Sequence, residues 1–145
     1  TLAREYDAAQ ERTYLTITLP SGRKLFYVEP ALGKNRWGNP SISYAGVAQD
    51  TKKWARVETY GGKLVENCVQ AIARDCLAHC IEQLELSGFP VVFHVHDEVV
   101  IEIPPYAGDK AMLDTVIAMM SCPIPWAQGL PLNADGWVGL YFKKD

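Results

Sequence analysis

No two cysteines stand at CxxC spacing, no apolar run approaches the length of a membrane span, no segment repeats at a fixed period and none is low in complexity. Each absence closes off a class of function. Without a CxxC pair, Cys68, Cys76, Cys80 and Cys122 do not make a zinc site, and they read as small core residues of a reducing compartment. There is no stretch of the roughly 20 apolar residues that a spanning helix takes. Thr1-Leu2-Ala3-Arg4 also has no apolar core behind it, so neither a membrane helix nor a signal peptide is expected. The chain begins without Met, and we expect a segment cut from something longer.

An excess of one charge is missing as well. Lys and Arg number 14 and Asp and Glu 17, a net charge of -3, so the protein is not coated in positive charge. The balance is nonetheless polarised along the chain. From Lys34 to Lys63 six bases (Lys34, Arg36, Lys52, Lys53, Arg56, Lys63) stand against Asp50 and Glu58, whereas from Leu64 to Asp109 Arg74 stands alone against eight acids. A basic segment suited to phosphates precedes an acidic one suited to metal. Length and composition are otherwise ordinary: 145 residues, 48% hydrophobic and 21% charged, predict one soluble domain with a core.

Residues 1 to about 11 read as the end of a helix. Thr13 to Leu19 alternates, Pro20-Ser21-Gly22 turns, and Arg23 to Val28 resumes, which is a β-hairpin. Glu29 to Pro40 has loop composition and Ser41 to Tyr44 is a short strand. After Thr51 the pattern turns helical, interrupted by Gly61-Gly62; Leu64, Val65, Cys68, Val69, Ile72, Cys76, Leu77, Cys80, Ile81 and Leu84 then recur at helical steps. That helix of about six turns stops at Ser87-Gly88-Phe89-Pro90. Pro104 to Gly108 forms a loop, and Asp109 to Met120 a second helix capped by Asp109. Leu130 to Asp135 and Trp137 to Phe142 are expected as an edge of the same sheet. The fold class is therefore α+β: a mainly antiparallel sheet with helices packed on one face, plus an N-terminal β-hairpin.

The most informative stretch is VVFHVHDEVVIEI, from Val91 to Ile103. Val91 to Val95 and Val99 to Ile103 make two buried arms, with His96, Asp97 and Glu98 at a charged tip. Two adjacent acids held out on a rigid strand pair suit a hard divalent cation, since Mg²⁺ takes one or two carboxylates and fills its other positions with water and phosphate oxygens.

TYGGKLVENCVQAIARD (Thr59 to Asp75) followed by HVHDEVVIE (His94 to Glu102) resembles the C-terminal part of a family A DNA polymerase, of the DNA polymerase I type and its bacteriophage branch. LPSGRKLFY, SYAGV and the ending PLNADGW are similar too, so the likeness runs through the chain. The resemblance implies a single partial domain over residues 1–145, the C-terminal part of the polymerase palm with a fingers-derived segment over about residues 1–50. It implies that Asp97 and Glu98 are the catalytic and metal-binding residues, Asp97 ligating Mg²⁺ (Mn²⁺ as substitute) and Glu98 a weaker ligand. His96 would donate to the primer terminus. Lys53, Arg56 and Lys63 would meet the primer-template DNA along the helix. The partners implied are primer-template DNA and deoxynucleoside triphosphates, the reaction is a two-Mg transfer to a primer 3′-hydroxyl, and the location is the cytoplasm of a bacterial host.

The chain departs from the family at two points. Gly61-Gly62 stands where many members have Gln before the Gly, and the family's second metal-binding Asp and its nucleotide-binding helix lie upstream of these residues. The chain alone is therefore expected to be inactive. Two other readings compete. His94, His96 and Glu102 loosely resemble the HxH…E metal set of a cupin-like oxygenase or isomerase. The other is a non-catalytic, nucleic-acid-binding remnant of a prophage polymerase.

Overall fold

The computed structural model describes residues 1–104 and 109–143. Five antiparallel strands run as a meander in chain order: β1 (Leu2–Asp7), β2 (Arg12–Thr18), β3 (Lys24–Lys34), β4 (Pro40–Val47) and β5 (Trp54–Thr59). Helix α1 (Gly61–Leu86) follows. Then β6 (Val91–Val95) and β7 (Glu98–Ile101) form a two-stranded sheet of their own, and α2 (Asp109–Met120) comes after. The architecture is α+β. By packing, the chain divides inside α1 into two compact units, Thr1–Ile72 and Ala73–Asp145.

In the first unit the expected hairpin is β2 and β3. Its turn closes by Leu19 N–H donating to the Arg23 carbonyl at 2.8 Å and Gly22 N–H to the Leu19 carbonyl at 3.0 Å, with Gly22 at φ 88°. Residues 1–11 are not a helix end. Leu2–Asp7 pairs with β2 in full register, and the Asp7 carboxylate accepts the N–H groups of Ala9 (2.9 Å) and Gln10 (3.2 Å), nucleating a turn that polar composition alone disguises. Nor is Glu29 to Pro40 all loop, because β3 runs on to Lys34. Pro30, which has no N–H for a ladder, is accommodated by a register shift between Val28 and Ala31, where Glu29 takes φ 49°.

The helix expected after Thr51 does not begin there either. Ala48 N–H donates to the Lys53 carbonyl and Lys52 N–H to the Ala48 carbonyl, both at 2.9 Å, and this loop turns the chain back as β5. Trp54–Thr59 then pairs along its whole length with β4, so sheet pairing overrides the weak helical preference of Ala55, Arg56 and Glu58. Thr16, Leu19, Tyr27, Ala45, Gly46 and Thr59 are the buried residues of this unit. Asn67 of α1 donates to the Tyr27 hydroxyl at 3.1 Å and Arg23 to the Ala71 carbonyl at 3.0 Å, seating the start of α1 on the sheet.

In the second unit the stripe of α1 is buried at Cys76, Leu77, Cys80 and Leu84, joined by Ile124. Towards the helix start the stripe is wider than the surface covering it, and Val65 and Val69 are exposed. The C-terminus of α1 ends as expected: Phe89 N–H donates to the Leu84 carbonyl (3.0 Å) and Gly88 N–H to the Glu85 carbonyl (3.1 Å), with Gly88 at φ 84°. The expected tail strands do not form among the described residues. Pro131 lacks an N–H for a ladder, and Gly136 and Gly139 weaken an extended run. The closing loop over 105–108 and the cap by the Asp109 side chain lie outside the described residues.

Candidate active site at the hairpin tip

Strands β6 (VVFHV) and β7 (EVVI) are β-branched or aromatic at every position except His94 and Glu98, which is why so short a segment pairs as a hairpin. The register is Phe93↔Val100, His94↔Val99 and Val95↔Glu98, so His96 and Asp97 alone make the turn. His96 carries φ 50° and Asp97 has no positive φ, the sign pattern of a II′ turn, in which the first position favours Gly. Placing a side chain in that left-handed region costs about 1–2 kcal/mol. Strain of this kind concentrates at functional sites.

Two features fix the base of the hairpin. The Glu85 carboxylate near the end of α1 accepts the Val91 N–H at 2.6 Å, and the shift between Val91 and Phe93 leaves Val92 as an extra, bulged residue. The arms are less buried than expected. Val91, Val95, Val99, Val100 and Ile101 are half-buried, while Val92 and Phe93 are exposed, Phe93 lying edge-on to Phe142 with ring centroids 5.0 Å apart. A two-stranded sheet offers two faces, and the residues of this unit do not cover both.

At the tip His96, Asp97 and Glu98 are all exposed, and their side chains make no hydrogen bond or ion pair among the described residues. Two carboxylates that no cation or N–H has claimed remain available as oxygen donors. Among the described residues no three His, Cys, Asp or Glu side chains cluster to hold a metal ion, so the hairpin offers a pair of donors and not a closed site. A pair is what Mg²⁺ commonly takes from protein, and it falls short of the four ligands of a structural zinc site. A cavity of about 470 Å³, lined by Pro90, Glu102 and Met112 among others, lies at the base of the hairpin, away from the tip.

The cupin-like set is not supported by this geometry. The His94 ring lies 3.4 Å from the Arg74 guanidinium, and a cation beside an imidazole opposes a second cation binding there. A 26-residue helix also has no place in a small all-β barrel. Sequence reasoning misses Arg74 as a neighbour of the hairpin. The available signal is its isolation as the one base between Leu64 and Asp109.

Of the four candidate DNA contacts, His96 stands at the hairpin tip in the second unit; the three basic ones lie in the first unit, and of these only Lys63 is on a helix. Lys53 is exposed in the turn before β5. Arg56, on β5, is exposed and its guanidinium lies along the sheet, donating to the Glu29 carbonyl (2.7 Å), the Ser43 carbonyl (2.9 Å) and the Ser43 hydroxyl (2.7 Å). Lys63 pairs with Glu66 at 2.9 Å, and this hydrogen-bonded carboxylate holds its pKa above the ordinary lysine value. Among the described residues nothing engages the head group of Lys53, and the other two are partly engaged.

No protein-family model matches the chain, and no solved structure matches it. Among curated proteins, it is 50% identical over 136 residues to a protein named DNA polymerase from Bacillus phage SP02, a likeness that covers 93% of this chain and 20% of that protein. The chain is thus similar to about a fifth of a phage DNA polymerase, with the two unclaimed carboxylates of the hairpin inside a chain matched almost throughout.

Proposed function

We propose that this chain is the C-terminal palm portion of a family A DNA polymerase, and that the β6–β7 tip is the half of its metal site that these residues carry. The observation behind this reading is the pair of unclaimed, exposed carboxylates, Asp97 on a strained two-residue turn and Glu98 on the strand that follows it, in a chain 50% identical to part of a phage DNA polymerase. The substrates would be primer-template DNA and deoxynucleoside triphosphates.

The donor set fits Mg²⁺, with Mn²⁺ as a substitute, because both donors are hard oxygens and the tip is open to water and phosphate. A bound pair of ions supplies charge neutralisation for the attacking and leaving oxygens of an in-line displacement. The chain's own residues do the positioning. Asp97 and Glu98 present negative charge side by side, the β6–β7 ladder holds Glu98 and the ends of the turn that carries Asp97, and His96 stands beside them as a hydrogen-bond donor. Phosphoryl transfer asks mainly for such positioning and charge.

The test uses a polymerase polypeptide that carries this segment. Asp97→Ala should abolish primer extension and leave binding of primer-template duplex largely intact, and extension at the wild-type rate would refute the reading. The 145-residue chain by itself should extend no primer, and Asp97-dependent extension by it would mean that a complete metal site exists within these residues.

A further inference from the structure

We propose that the tip of the β3–β4 hairpin is a binding site for single-stranded DNA, separate from the metal-bearing turn. This rests on the polymerase reading for the kind of polymer bound, and on the geometry of the first unit for the place.

Strand β3 loses its β2 neighbour after Val28, whose partner is Tyr14, and β4 gains its β5 neighbour only at Ile42, whose partner is Thr59. Between these points the pairs Gly33↔Ser41 and Lys34↔Pro40 have no third strand beside them. The result is a short two-stranded end with no further strand on either side, with Trp37 69% exposed in its loop. That loop is ordered. The Asn35 side-chain oxygen accepts the N–H groups of Trp37 and Asn39, each at 3.0 Å, the Asn35 N–H donates to the Asn39 carbonyl at 2.9 Å, and Gly38 takes φ 82°.

The chemistry at that end suits a nucleic-acid strand. No acidic residue occurs from Pro30 to Gln49, and Lys34 and Arg36 make no ion pair among the described residues. Arg36 lies over the Trp37 ring at 4.0 Å from its centroid, holding a cation against an exposed aromatic surface. A solvated charge that merely guards a sheet edge needs neither the exposed indole nor the ordered loop. Cations that track phosphates, beside an aromatic ring on which an unpaired base stacks, are the elements of sequence-tolerant single-strand binding.

The experiment measures binding of the 145-residue chain to a labelled oligo-dT and to a labelled duplex across a salt series. Trp37→Ala should weaken oligo-dT binding about tenfold, and Trp37→Phe, which keeps a ring, should recover most of it. Replacing Lys34 and Arg36 together by Ala should reduce the slope of log K against log salt by about 1.4, or about 0.7 for each phosphate no longer neutralised. Duplex binding should be unchanged in all three. An unchanged oligo-dT affinity, or an equal loss on duplex, overturns the assignment, as does absence of oligo-dT binding by the wild type at about 50 mM salt. Failure here leaves Asp97-dependent extension untouched, so the two readings fall separately.

Discussion

Val95 and Glu98 are cross-strand partners at the end of the β6–β7 ladder, which leaves His96 and Asp97 as the entire turn and makes Glu98 already a strand residue. The two acids therefore differ in how they are held. Asp97 projects from a turn residue whose predecessor is in a left-handed conformation, and Glu98 projects from a paired strand position. Any movement of the turn displaces Asp97 first.

His96→Gly should raise the stability of the hairpin or leave it unchanged, because the relief of φ 50° is offset by the greater freedom of Gly in the unfolded chain, each about 1 kcal/mol. His96→Val should cost at least about 1 kcal/mol, since a β-branched side chain is worst placed in that region. Urea unfolding of the two variants against wild type reads the difference. Equal losses for Gly and Val would show that the backbone conformation is not what His96 contributes to stability.

This tip is legible in the sequence because its signals are local. Two β-branched runs around His96-Asp97-Glu98, and Ser87-Gly88 before Pro90, each specify a turn or a helix stop without help from the rest of the chain. The strands β1 and β5 are not legible. Tyr6-Asp7-Ala8-Ala9 and Trp54-Ala55-Arg56-Val57 have no strict alternation, and Leu2–Asp7 and Trp54–Thr59 become strands only because β2 and β4 offer edges to pair with. The candidate DNA contacts suffer from the same cause, since Lys53 and Arg56 precede a helix that starts only at Gly61.

Acidification should expose the contribution of Glu5. Its carboxylate accepts from Lys24 at 2.6 Å and from the buried Thr16 hydroxyl at 3.0 Å, and chiefly the Lys24 bond holds its pKa below the ordinary 4.5. A depressed native pKa means that the unfolded chain binds more protons in this window, so the stabilisation is complete above the ordinary value and is lost as pH falls through the native one. Unfolding midpoints measured from neutral pH downwards should therefore fall less steeply in Glu5→Gln. An identical acid limb in the variant would remove Glu5 from the account.

Thiol reactivity should sort the four cysteines by position. Burial raises the pKa of Cys76 and of Cys80, where the packed helix disfavours thiolate, and Cys122 is exposed. With a chromogenic disulfide reagent at neutral pH, Cys122 should react fast and Cys76 and Cys80 only on the timescale of opening. Cys122→Ser should remove the fast phase, and a fast phase that survives it would place a reactive thiol on α1, at Cys68, Cys76 or Cys80.

The central claim is that the acids at the β6–β7 turn hold a divalent metal, and paramagnetic mapping with Mn²⁺ tests it without relying on catalysis. Substoichiometric Mn²⁺ added to the isotope-labelled chain should broaden the amide signals of His96, Asp97, Glu98 and Val99 before any others. Asp97→Asn should abolish that selectivity. Broadening centred on another part of the chain, or unaltered by Asp97→Asn, would contradict it.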